Sequence, residues 1–149
     1  MKKFKFGLEK LLSYKNQILE SEMQKLSAIL AQIAEKEAQI ATLKQNMKQA
    51  GEELDAKLKE TVSPEECQRY QHYIDRLRDE IKIAESELEA LERTREAQID
   101  VIAEAKKESR SLELLKENQL AEYNEAQRKE TEREIEEFIT AQDALNGGV

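Results

Sequence analysis

A chain of 149 residues that is 38% charged, 39% hydrophobic and 5% aromatic, with four glycines and one proline, has the composition of a coiled coil or long-helix protein. It lacks the turn-forming residues and aromatic bulk with which a globular enzyme closes around a pocket. The formal net charge of −8 argues against nucleic acid as a partner, the lone cysteine excludes an internal disulfide, and no run of about 18 apolar residues is present to span a membrane.

The opening Met1-Lys2-Lys3-Phe4-Lys5-Phe6-Gly7 is charged and runs into Leu8-Glu9-Lys10, so no signal-peptide core is expected there. A first helix is predicted over about 4–60. Steps of seven from Leu12 reach Leu19, Leu26, Ile33, Ile40, Met47 and Leu54, an unbroken apolar stripe. Its companion stripe, Leu8, Lys15, Glu22, Ile29, Lys36, Leu43, Ala50 and Lys57, is interrupted by polar residues, as in coiled coils where such residues fix register at some loss of stability.

Thr61-Val62-Ser63 precedes the sole proline, Pro64. Ser63 is a good N-cap, proline is tolerated at the first helical position, and Glu66 three residues beyond Ser63 completes a capping-box pattern. A turn at 61–63 and a second helix over about 64–145 follow. The second helix carries Cys67, Ile74, Ile81, Leu88, Arg95, Ile102 and Ser109 beside Tyr70, Leu77, Ala84, Leu91, Gln98, Ala105 and Leu112. With the turn centred near Val62, facing residues have numbers adding to about 124, which pairs Leu54 with Tyr70, Met47 with Leu77, Ile40 with Ala84, Ile33 with Leu91, Leu26 with Gln98, Leu19 with Ala105 and Leu12 with Leu112.

The expected fold is therefore all-α: one domain, 1–149, of two long helices in an antiparallel coiled-coil hairpin. Residues 1–60 carry a net charge of +2 and residues 61–149 one of −10, which favours pairing the two arms, though exposed pairs are worth only about 0–1 kcal/mol each. The second helix is longer, so 121–145 is predicted to overhang. That stretch contains Tyr123, Ile135, Phe138, Ile139 and Leu145. Isolated helices are marginal in water and each buried large apolar side chain is worth about 1.5–3 kcal/mol, so the overhang calls for a partner. Phe4 and Phe6 lie at the same, open end.

No residue set points to catalysis. His72 has no triad or metal partners nearby in sequence and reads as a surface histidine. Cys67 occupies a heptad position and reads as a small core residue. The acids Glu130, Glu132, Glu134, Glu136 and Glu137 are interleaved with Arg128, Lys129 and Arg133, the pattern of a solvated helix face. No glycine-rich phosphate loop exists. No catalytic residue, metal or cofactor is expected. Around Tyr70 and Ile74 two readings stand side by side: Tyr73 merely flanks these core residues, or Tyr73, Leu77, Glu80 and Ala84, which recur at helical spacing, form a partly exposed stripe open to a partner, since aromatic anchors dominate protein interfaces.

Three places in the chain give it a family likeness: Phe4-Lys5-Phe6-Gly7-Leu8-Glu9-Lys10-Leu11-Leu12 with Lys15, Tyr70-Gln71-His72-Tyr73-Ile74 with Leu77 and Ile81, and Ile135-Glu136-Glu137-Phe138. In order, spacing and total length the chain resembles the flagellar FliJ family of the type III export apparatus. The resemblance implies a non-enzymatic stalk similar to the central stalk of rotary ATPases. Its open end, and with it Phe4, Phe6, Tyr123, Ile135, Phe138 and Ile139, would enter the hexameric export ATPase, FliI. The region near the turn, with Tyr73, Leu77, Glu80 and Ala84, would contact the export gate membrane protein FlhA, although Glu80 and Ala84 depart from the small and polar residues expected there. The resemblance also implies contact with export chaperones and a cytoplasmic location, peripheral to the inner membrane, without direct membrane insertion.

The same hairpin would serve as the stalk of a virulence secretion system, which should lack the Phe-x-Phe opening, or as a scaffold dimerising through 121–145. An accessory resembling transcript-cleavage factors, with a metal held near Glu60, Glu65 and Glu66, would need a docking domain that this sequence does not contain.

Overall fold

The computed structural model describes residues 3–147. Two helices account for nearly all of them, α1 (Glu9–Leu58) and α2 (Pro64–Gly147), and no strand occurs among the described residues. α2 is the longer, 84 residues against 50, and the two pack as a hairpin. The chain divides into two compact units, Glu20–Ala103 and Met1–Leu19 with Glu104–Val149.

In the unit Glu20–Ala103 the turn sets the start of α2. The Glu66 N–H donates to Ser63 Oγ at 3.2 Å and the Cys67 N–H donates to the Ser63 carbonyl at 3.1 Å, so Ser63 caps the helix and Pro64 takes its first position. Only half of the expected capping box forms. The Glu66 carboxylate turns instead to the Lys57 ammonium at the end of α1, because a charged donor is a stronger partner than a neutral amide. The same ammonium sits 5.2 Å from the centroid of the Tyr70 ring, a cation–π contact.

That ion pair makes the turn sensitive to pH. Its bond to Lys57 holds the Glu66 carboxyl below the ordinary value of 4.5, and bonds to Glu66 and then Tyr70 hold Lys57 above 10.5. Glu66 therefore adds stability above its unfolded value, and this is lost as pH falls through the lowered one. Lys57 adds stability below its own unfolded value, and this is lost as pH rises through the raised one. The pair acts fully between about pH 5 and pH 10. Amide-exchange protection in the first turn of α2 is expected to drop in acid for the native chain, whereas Glu66→Gln should start lower at neutral pH and show no such step.

Below the turn the heptad seam is the core. Ile33, Ile40, Ala50 and Leu54 of α1 and Leu77, Ile81, Ala84 and Ile102 of α2 are buried, and all eight fall on the two seven-residue stripes. Polar bridges report the register: Lys57 meets Glu66, Tyr70 donates to Glu53, Lys36 meets Glu87, and Lys44 meets Glu85 at 3.3 Å. The first three pairs each add to 123, one short of the expected 124, while Lys44 and Glu85 reach across the seam diagonally. One layer is polar. Gln98 Nε2 donates to the Glu22 carbonyl at 2.9 Å and to the Glu22 carboxylate at 2.6 Å, so the amide ties the two helices together through a polar contact at this layer. Arg95 Nε is buried without a hydrogen-bond partner.

In the other unit Leu12, Ala105 and Ser109 are buried. Ser109 Oγ donates to Asn16 Oδ1, and Lys15 pairs with Glu108 and Lys116 with Glu9, both at 2.8 Å. α1 starts at Glu9 and not near residue 4. Gly7 is a poor helix former, and the residues before α1 bury their rings outside the helix: Phe6 is buried and Phe4 meets Tyr123 with ring centroids 5.6 Å apart at a tilt of 50°. The Phe6 carbonyl accepts the Glu9 N–H at 3.2 Å and the Leu8 carbonyl accepts the Leu12 N–H at 2.9 Å, which closes the first turn. Phe4 thus meets α2 at Tyr123, three residues beyond the position 120 that the expected register places opposite it. Tyr123 and Gln127 are half-buried, and every described residue from 128 onward is exposed. The free part of α2 begins after Gln127, later than the 121 expected from helical length alone.

Candidate functional site

The free stretch of α2 is one of two candidate surfaces. Residues 130, 133, 137, 140 and 144 would continue the heptad seam, and they are Glu130, Arg133, Glu137, Thr140 and Ala144. The seam has therefore lost its large apolar residues. Those have moved to Ile135, Phe138, Ile139 and Leu145, which at about 100° per residue share a different side of the helix. All four are exposed, Phe138 to 67%. The stretch opens on a tight ionic cluster in which Arg128 binds Glu125 on the preceding turn and Glu132 on the next. That bonding holds the Glu125 carboxyl below its usual range and raises the guanidinium still further.

The six residues assigned to the open end separate into two groups. Phe4, Phe6 and Tyr123 face the fold itself, through the Phe4–Tyr123 contact and the burial of Phe6. Ile135, Phe138 and Ile139 face solvent. Only the second group offers large apolar area to another molecule, and Leu145 extends it.

The other candidate surface lies on α2 within Glu20–Ala103. Tyr73 is 37% exposed, while Leu77 and Ala84 are buried to 4% and 3% exposure and Glu80 is exposed. Leu77 and Ala84 are core residues beneath the surface and do not form part of it. What is presented outward is Tyr73, with the Arg76 guanidinium 5.4 Å from its ring centroid, then Glu80, 3.9 Å from Arg76, and then Ile83, 61% exposed. Arg76 and Ile83 were missing from the sequence-derived stripe. Their spacing from Tyr73, three and ten residues, would have revealed them had the face been drawn one helix position to the side.

His72 is exposed and the Cys67 thiol is free and half-buried. Among the described residues no group of three or more His, Cys, Asp or Glu could hold a metal ion, and no helix is long and apolar enough to cross a membrane.

The family model of the flagellar FliJ protein matches residues 4–146, a span that takes in both surfaces. No curated protein and no solved structure gives a significant match.

Proposed function

Because the chain belongs to the flagellar FliJ family and is thereby a protein associated with flagellar export, we propose that it acts as a non-enzymatic stalk of the export apparatus. In this reading the end built from residues 3–19 and 104–147 inserts into the hexameric export ATPase, a FliI-like protein. The observation that carries the reading is the bare stretch of α2 beyond Gln127, with Ile135, Phe138 and Ile139 exposed. Phe4, Phe6 and Tyr123 contribute by holding the base of that stretch in place. A helix that buries no face of its own is marginal in water, so an apolar cavity in a partner supplies what the hairpin does not. The direct test is to titrate the full chain into the purified export ATPase of the same organism and follow ATP hydrolysis. Stimulation that saturates supports the stalk, and a flat response removes it.

The second contact in this proposal is with the export gate, a FlhA-like membrane protein, through Tyr73 and Glu80 seated over the buried Leu77 and Ala84. Such a contact would bring the stalk to the membrane periphery without inserting it. Tyr73→Ala is expected to weaken binding to the cytoplasmic domain of the gate by about tenfold, the effect of losing one aromatic anchor, and to leave ATPase stimulation unchanged. Equal losses in both assays would show that the two contacts are not separate.

A further inference from the structure

We infer that the outer part of the free stretch of α2, residues 131–147 beyond the Arg128 cluster, docks into an apolar groove whose two walls carry lysine or arginine side chains. This rests on the reading of that stretch as the partner-binding end and adds the chemistry of what it binds. Advancing about 100° per residue, Ile135, Phe138, Ile139 and Leu145 form one stripe. Glu134 borders it on one side, and Glu132, Glu136 and Asp143 border it on the other. Arg133 lies on the far side of the helix, where it faces Glu137 at 3.9 Å. Residues 131–147 hold five acids against that one base.

Glu132 is engaged by Arg128, but Glu134, Glu136 and Asp143 make no ion pair among the described residues. The last turn of α2 contains no basic residue, so the negative end of the helix dipole adds to the same field. An apolar stripe with acid on both sides selects a groove with cations on both sides, since matched potentials speed encounter and like charges exclude wrong partners. A second copy of this chain is disfavoured by the same rule, because it would bring identical acidic rims together.

Two measurements on the full chain decide the matter. In the first, binding to the export ATPase is measured from 50 to 500 mM NaCl for the native protein, for Glu134→Gln/Glu136→Gln/Asp143→Asn and for Phe138→Asp. The native affinity is expected to fall about tenfold over that range as salt screens the rim. The triple variant should bind about tenfold more weakly at low salt and respond little to salt. A salt-independent native affinity, or a triple variant that binds like the native chain while Phe138→Asp does not bind, overturns this inference and leaves the stalk standing. No native binding at any salt overturns the stalk.

In the second measurement a photo-cross-linker replaces Phe138 in cells, and the adduct is identified by mass spectrometry. A captured peptide of the export ATPase with lysine or arginine within about one helical turn on each side of the linkage supports the groove chemistry. A peptide lacking basic residues, one from another protein, or one from a second copy of this chain overturns it.

Discussion

Phe138→Asp is expected to abolish stimulation of the export ATPase while the helical content of the chain stays at its native value. The side chain is 67% exposed, so its removal takes almost nothing from the packing of the hairpin, and Phe and Asp have similar helix propensities. The loss falls on the complex. Burying a phenylalanine ring is worth about 1.5–3 kcal/mol, and forcing an aspartate into the same apolar site adds a desolvation penalty of several kcal/mol or drives its protonation. Together these correspond to a loss of affinity of at least about a hundredfold. ATPase rate against chain concentration, with circular dichroism on the same samples, checks both halves. Full stimulation by the variant would move the ring contact away from this stretch. A substitution at Phe4 is expected to act first on the fold at the base of the stretch, because its ring packs against Tyr123.

The heptad stripes made the core of this molecule legible, because a two-helix coiled coil has a single periodic demand and little else to satisfy. Ile33, Ile40 and Leu54 on one helix and Leu77, Ile81 and Ile102 on the other are buried where the spacing puts them. The polar bridges from Lys57–Glu66 to Lys15–Glu108 keep the register that the proline turn implies. What escaped the sequence was local competition. At Glu66 a lysine across the turn outbids the backbone amide that a capping box would use. At residues 3–8 the aromatic rings find α2 by leaving the helix, which shortens α1 and lengthens the covered part of its partner. Periodicity says which residues share a face, but not how far toward solvent that face turns. The stripe of Tyr73, Leu77, Glu80 and Ala84 accordingly contains two surface residues and two core residues.

This division gives Leu77 and Tyr73 opposite roles although they are one turn apart. Leu77→Ala is expected to lower the stability of the hairpin by roughly 2–5 kcal/mol, the range for emptying a buried leucine site. Leu77 is 4% exposed and lies one turn from the buried Ile81, in a two-helix core with no second layer of side chains to collapse into the space. The measurement is urea unfolding followed by helicity, where the midpoint should fall at an unchanged slope. Gate binding by the folded variant should stay close to native when assayed cold and without denaturant, because the Tyr73 ring and its Arg76 partner remain outside. Tyr73→Ala should reverse the pattern, with little change in the midpoint and a clear loss of binding. If Leu77→Ala left stability unchanged but removed gate binding, Leu77 would have to be turned outward in the working protein, and the seam at that layer would have to be opened by the partner.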